Sequence, residues 1–302
     1  MPIKMKSLHP DLKDVINKSA GAGPLESRGS NFEEWFVDGN IRSSGDGTSW
    51  DEAYKTVTEA IAASDDSIGL SVNRAWAKRS TIFCCGDWLE ETLVRFPEKI
   101  DIVGVGSCDG FKGAGLTGTH VPVGGTFGTR WFNFNFRSSS GSDALITLAS
   151  TCIANEFYDC RFHGNAELSG SSDEAIDATA SNFLKIIGCD FTGAFDDNAV
   201  DIGAGKIDDL RFIGNTIMGA SGGFVVSGTT TVTGSRLGLV AGNSIYTTGC
   251  AINDGADGTI IVSDNRVISA TGDGASAYVI TAAFAAGNII TANGVDVTRF
   301  AA

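Results

Sequence analysis

Several residue types are scarce in this chain. Its 302 residues hold 5 prolines, 3 methionines, 3 histidines and 4 tyrosines. His9, His120 and His163 lie far apart, so no histidine-based metal site is signalled, and no metal or cofactor is expected. Charged residues make up 19%, below the roughly 25% of an average soluble protein, while 42% are apolar, which excludes a disordered chain and a coiled coil. Seven cysteines (84, 85, 108, 152, 160, 189 and 250) form an odd set with no CxxC spacing. Neither a disulfide framework nor a zinc site follows, and buried thiols in a protein assembled in a cytoplasm are the expectation. A secretory signal is missing too, because the basic start runs into His9-Pro10-Asp11 instead of an apolar stretch. The uncharged run from Gly274 to Val295 is broken by Ser276, Thr281, Asn288, Thr291 and Asn293, so no membrane span is expected.

Basic residues are also few, 22 against 36 acids, giving a net charge of −14. Binding to nucleic-acid phosphates needs clustered Lys and Arg, so a nucleic-acid partner is excluded. The first 30 residues differ: Lys4, Lys6, Lys13, Lys18 and Arg28 outnumber Asp11, Asp14 and Glu26. With Pro10, Gly21-Ala-Gly-Pro24 and too few apolar positions for a core, residues 1–34 read as an extended basic arm that orders on a partner.

Glycine is abundant at 39 residues, about 13% against a usual 7% or so, without a three-residue period. It belongs to a longer repeat. Six segments share an apolar residue, a small or polar residue, Cys or Asn, a variable residue and an apolar residue: Tyr158-Asp-Cys160-Arg-Phe162, Ile187-Gly-Cys189-Asp-Phe191, Ile213-Gly-Asn215-Thr-Ile217, Ala241-Gly-Asn243-Ser-Ile245, Ser263-Asp-Asn265-Arg-Val267 and Ala286-Gly-Asn288-Ile-Ile290. Such a unit, about 22 to 29 residues long, cannot close a core alone but can when stacked on its neighbours. Asn215, Asn243, Asn265 and Asn288 are therefore expected to stack as an amide ladder, with Cys160 and Cys189 filling the same position as a small apolar alternative. Gly188, Gly214, Gly242 and Gly287 supply the bend before it. Phe132, Phe134 and Phe136 alternate as a strand with one buried face would. Roughly nine coils over residues 81–302 predict a rod about 40 to 45 Å long.

Residues 35–80 read as an N-terminal cap. Thr48-Ser-Trp-Asp51 has the form of a capping box, and Trp50, Ala53, Tyr54, Val57, Ala60 and Ile61 follow at helical spacing, predicting a helix over 48–63 that covers the first coil.

The run Val37-Asp-Gly, with Gly45-Asp-Gly-Thr-Ser-Trp-Asp-Glu-Ala-Tyr-Lys-Thr-Val-Thr-Glu-Ala-Ile61, Thr81-Ile-Phe-Cys-Cys-Gly-Asp-Trp-Leu-Glu-Glu-Thr and Ile100-Asp-Ile-Val-Gly-Val-Gly106, resembles the opening of right-handed parallel β-helix proteins of the pectin-lyase-like class. The resemblance implies an all-β, right-handed parallel β-helix solenoid with an N-terminal capping α-helix and the extended arm. It does not select a function, because that class holds polysaccharide lyases, hydrolases and esterases beside tailspikes and other phage surface proteins.

Catalytic candidates are few. Asp196, Asp197 and Asp201 resemble part of the polygalacturonase pattern, but the partner His and downstream Arg/Lys motifs of that family are absent, and an acidic loop facing solvent is the competing reading. Asp254 and Asp257 match no calcium-loop pattern and read as a turn. His163 is expected as an exposed turn residue. Trp76, Trp88 and Trp131 are candidate sugar platforms, with core or subunit interface as the alternative for Trp131.

Two functional classes follow. The first is a non-enzymatic structural protein on a phage particle, assembled in the host cytoplasm and attached to capsid or tail proteins through Lys4, Lys6, Lys13, Lys18 and Arg28 of the arm. Homotrimers and a host surface glycan are further expected partners. Because the chain stops at Val295-Asp-Val-Thr-Arg-Phe-Ala-Ala302, at the last coil, capsid decoration or a head fibre ranks above a tailspike or tail fibre. The second class is a polysaccharide lyase or glycoside hydrolase using Asp196 and Asp197.

Overall fold

A single residue in the left-handed region turns each of the seven coils from Arg130 onward from its first strand into its second. Asn133, Asp159, Gly188, Gly214, Gly242, Asp264 and Gly287 all hold φ between 50° and 68°. Asn, Asp and Gly tolerate that conformation best, so three residue types serve one geometry. The structure is a computed structural model and describes residues 33–68, 79–86, 89–106, 114–122, 126–138, 143–164, 173–178, 183–203, 208–226, 237–254, 260–270, 278–280, 284–292 and 295–296. Cys108, Trp76, Trp88, Asp257 and the five basic arm residues lie outside these.

The coils stack into an all-β parallel solenoid. Sheet 1 is ten strands deep and runs from Glu34–Asp38 and Ser80–Cys85 through Ile100–Gly104, Arg130–Phe132, Glu156–Tyr158, Lys185–Ile187, Arg211–Ile213, Gly238–Ala241 and Ile260–Ser263 to Phe284–Ala286. Sheet 2 also has ten strands, among them Asn135–Arg137, Arg161–His163, Asp190–Thr192, Thr216–Ala220, Ser244–Thr247, Arg266–Ser269 and Ile289–Ala292. Its last strand, Val295–Asp296, is antiparallel to Ile289–Ala292. Sheet 3 has six strands, including Ile146–Leu148, Ile176–Ala178, Asn198–Ile202, Gly222–Val226 and Ile252–Asp254. Ten strands at about 4.8 Å make sheet 1 about 43 Å deep.

Like side chains stack along the axis because each strand pairs in register with its counterpart one coil away. On sheet 1 the inward column is Ile82, Ile102, Trp131, Phe157, Ile186, Phe212, Val240 and Val262. On sheet 2 it is Phe136, Phe162, Phe191, Ile217, Ile245 and Val267. Phe162 lies face to face with Phe191, centroids 4.7 Å apart. These columns meet in one continuous core.

The corner between sheets 1 and 2 holds the Asn ladder. Asn243 Nδ2 donates to Phe212 O of the preceding coil (3.0 Å) and to Asn265 Oδ1 of the next (2.7 Å). Asn243 Oδ1 accepts from the backbone N–H and Nδ2 of Asn215, at 2.8 and 3.1 Å. The same pattern joins Asn265 to Asn288, and Asn215 Oδ1 accepts from Cys189 N–H at 2.8 Å. Cys160 and Cys189 do more than fill space. Their thiols lie 3.6 Å from Trp131 O and Phe157 O, the carbonyls that correspond in register to those the Asn amides use. Burial pushes the Cys160 thiol well above its ordinary pKa, so it stays a protonated donor. The six described cysteines are thiols.

Two expectations need correction. Phe132, Phe134 and Phe136 do not share one strand face. Left-handed Asn133 breaks the alternation, so Phe132 faces outward in a small cluster with Phe83 and Val103, while Phe134 and Phe136 enter the core. The helix is α1, Val57–Ile68, not 48–63. Residues 45–54 form a loop against the first strand, where Phe36 N donates to Gly47 O and Tyr54 N to Phe36 O, so Trp50 and Tyr54 pack as loop residues. The capping box is Thr56 and Glu59: Thr56 N donates to Glu59 Oε2 (3.0 Å) and Glu59 N to Thr56 Oγ1 (3.2 Å). Glu91 adds a second carboxylate, accepting from the N–H groups of Val57 (2.7 Å) and Thr58 (3.1 Å). Val57, Ala60 and Ile61 of α1 join the main core beside Val37 and Ile82.

Candidate functional site: an acidic face on sheet 3

Strand alternation sends Ile176 and Ala178 inward and Asp177 outward, and sends Val200 and Ile202 inward and Asp201 outward. Asp177 and Asp201 are partners in register on adjacent coils, so two carboxylates stand side by side at strand spacing, about 4.8 Å. The segments entering these strands add more acids. Asp197 N donates to Asp173 O (3.0 Å), which holds Asp173-Glu174 beside Asp196-Asp197. Phe195, 1% exposed, anchors the second segment in the core. Asp196 and Asp197 themselves are exposed, and Asn198 Nδ2 donates to Asp197 Oδ1 at 3.3 Å.

The electrostatics of this face centre on Glu174. Partial burial, then repulsion from Asp177, Asp197, Asp173 and Asp201, push its carboxyl up to about 7. Asp177 is raised as well, by burial and by Asp201. A carboxyl raised this far beside other carboxyl groups is suited to proton donation. Among the described residues, no group of three or more His, Cys, Asp or Glu is arranged to hold a metal ion.

The structure thus brings Asp197 and Asp201 to one face and adds Asp173, Glu174 and Asp177, which sequence reasoning missed, while Asp196 is an exposed residue of the segment entering the strand and is not among the acids that act on Glu174. The available signal was the 24-residue step from Asp177 to Asp201, within the span of the repeat. Other candidates lie elsewhere. Trp131 is fully buried between Phe96, Phe134 and Phe136 and offers no sugar platform. Asp254 ends a strand of sheet 3. His163 is a half-buried strand residue of sheet 2, its Nδ1 3.0 Å from Thr192 Oγ1, and not an exposed turn residue, because the strand runs one residue past Phe162.

A second charged array lies on the outer face of sheet 1. Asp101, 2% exposed, receives both Nε and Nη2 of Arg130 at 2.7 Å and Nη1 of Arg79 at 2.6 Å. One coil on, Glu156 pairs with Lys185 (2.8 Å) and accepts from Tyr158 OH (2.7 Å). Asp101, Arg130, Glu156 and Lys185 are successive partners in register, so charge alternates along the axis.

The chain matches no protein-family model, no curated protein and no solved structure. No helix among the described residues is long and apolar enough to cross a membrane.

Proposed function

We propose that this chain is a non-enzymatic structural protein on the surface of a bacteriophage particle. In this reading it is a capsid decoration or head-fibre protein with a right-handed coil, built as a homotrimer and attached through its basic N-terminal arm. The observation that carries a structural role is the axial continuity of the solenoid. The Asn ladder, the aromatic column and the alternating charges of sheet 1 each tie one coil to the next, which suits a stiff rod. The phage setting rests on the resemblance of residues 35–300 to β-helix proteins of that class and on the contrast between a basic arm and an acidic body. Replacing Lys4, Lys6, Lys13, Lys18 and Arg28 by Ser in the full chain tests it. The expected result is loss of the chain from purified particles with unchanged thermal stability, and undiminished incorporation would remove the arm from the account.

The acidic face favours a second reading, cleavage of a polysaccharide with Glu174 as the proton donor and Asp177 or Asp201 as the second carboxyl group. Glu174→Gln would then abolish release of reducing ends while leaving the fold intact. A wild-type chain inactive on acidic and neutral polysaccharides removes this reading.

A further inference from the structure

The two ends of the solenoid are held by different chemistry. In the last coils the ladder from Asn215 to Asn288 joins coil to coil through amides and backbone groups, none of which titrates. At the first coil, three of the polar ties that fix α1 run through carboxylates. Glu91, just after strand Leu89–Glu90, accepts from the N–H groups of Val57 and Thr58 and from Thr58 Oγ1 at 2.7 Å. Glu59 accepts from Ser44 Oγ at 2.9 and 2.8 Å, which ties the first turn of α1 to the loop before it. Asp65, in the last turn, pairs with Arg95 at 2.8 Å. Glu91 and Arg95 therefore hold the two ends of α1 from one segment, 91–95. That segment is itself pinned by His120, whose Nδ1 accepts from Leu93 N–H. It lies so close on the second coil that a Cβ at Gly118 would stand 2.6 Å from Glu91 O.

We infer that α1 is an acid-released lid: protonation of Glu59, Asp65, Glu91 and His120 frees it from the first coil while the ladder half of the solenoid stays folded. Each of these protonations weakens a tie. A neutral carboxyl accepts less strongly than a carboxylate and gives up its ion pair, and an imidazolium has a proton on both nitrogens, so it cannot accept from Leu93. Around His120 stand Leu93, the Phe136 ring at 5.9 Å and, through backbone pairing, Leu145 and Ile146. None of them titrates or carries a charge that would accommodate a cation. Burial lowers the His120 pKa to about 4, so the support of the neutral ring is lost as pH falls towards that value. The groups facing the carboxylates keep one charge state throughout the acid range. Arg95 faces Asp65 and stays charged. Burial and then Glu91 push the Cys84 thiol up, and burial, then Asp46 and Glu59, push the Tyr54 phenol up, so both stay neutral. Val57, Ala60 and Ile61 of α1 lie in the core with Val37 and Ile82, and release of the lid uncovers that apolar end. The device does not depend on whether the chain sits on a particle.

Hydrogen exchange of the full chain, followed by mass spectrometry at pH 7.5 and pH 4 and corrected for the intrinsic pH dependence of exchange, decides it. Residues 57–68 are expected to lose protection about tenfold or more at pH 4, while the strands between 211 and 292 keep theirs. Glu91→Gln fixes the neutral state of one tie and is expected to lower protection of 57–68 at pH 7.5 already. His120→Gln keeps an acceptor for Leu93 N–H and is expected to move the release to lower pH, which carries the test if Glu91→Gln does not fold. A lid still protected at pH 4, a lid that opens only together with the ladder coils, or a release that neither variant shifts overturns the inference.

Discussion

At the residue scale, Asn243 shows how a polar side chain is kept inside the solenoid. Both amide atoms are bonded to the coils above and below, so its desolvation is offset on each side. Asn243→Ala would strand the Asn215 N–H and the Phe212 carbonyl. The expected cost is about 3 kcal/mol in urea unfolding, with Asn243→Cys costing less because a thiol reaches the same carbonyl, as Cys189 does. Equal losses would show that the ladder acts only by filling volume. His120 makes a pH prediction. It is buried, its Nδ1 accepts from Leu93 N–H at 3.1 Å, and desolvation lowers its pKa to about 4. The unfolded chain therefore binds this proton first, and the stability the neutral ring contributes, full above about 6.5, is lost as pH falls towards 4, by at most about 3 kcal/mol. His120→Gln keeps an acceptor for Leu93 and should flatten that acid slope. Glu174 has the opposite sign, since its raised pKa lets the folded chain hold the extra proton and its contribution fades as pH rises from about 4.5 to 7. Glu174→Gln should raise the unfolding free energy at pH 8, by well under about 1 kcal/mol after solvent screening, and change it less at pH 5.

At the scale of elements, register decides what is stabilised. Asp101 and Arg130 sit on neighbouring strands in register, which puts a buried carboxylate within reach of two guanidinium groups. Burial lowers the Arg79 pKa even though Asp101 opposes the shift, a sign that desolvation is incompletely offset. Asp101→Asn would leave both arginines without their charge partner and should destabilise by about 3 to 5 kcal/mol in chemical denaturation, whereas Lys185→Ala, at a more open pair, should cost under about 1 kcal/mol. The ladder corner was legible in the sequence because each coil repeats Asn or Cys one residue after the bend. The helix boundary was not. Trp50, Ala53 and Tyr54 have helical spacing by coincidence, and what separates them from α1 is a set of backbone bonds to the first strand, such as Tyr54 N to Phe36 O, that no local pattern encodes. Asp159 and Asp264 turn the chain as Gly188 and Gly214 do, and a reading based on glycine alone misses them.

At the scale of the whole molecule, charge and hydropathy are sorted by face. Acids gather on sheet 3, alternating charges run along the N-terminal half of sheet 1, and exposed Met218, Tyr246 and Ile289 mark the outer face of sheet 2 in the last coils. A repeat with a period of 22 to 29 residues reveals the stacking but not this sorting, because which strand residues face outward depends on where each corner falls. Glu174 and Asp177 illustrate the point, being separated from Asp197 and Asp201 by a whole coil in sequence and brought beside them only by strand pairing. The particle assignment is tested most directly by quantitative mass spectrometry of purified particles, read as copies of this chain per copy of the major shell protein. The account predicts a copy number in the hundreds, in multiples of three. Absence from particles would contradict it and return Glu174 and its neighbours to the centre of the functional question.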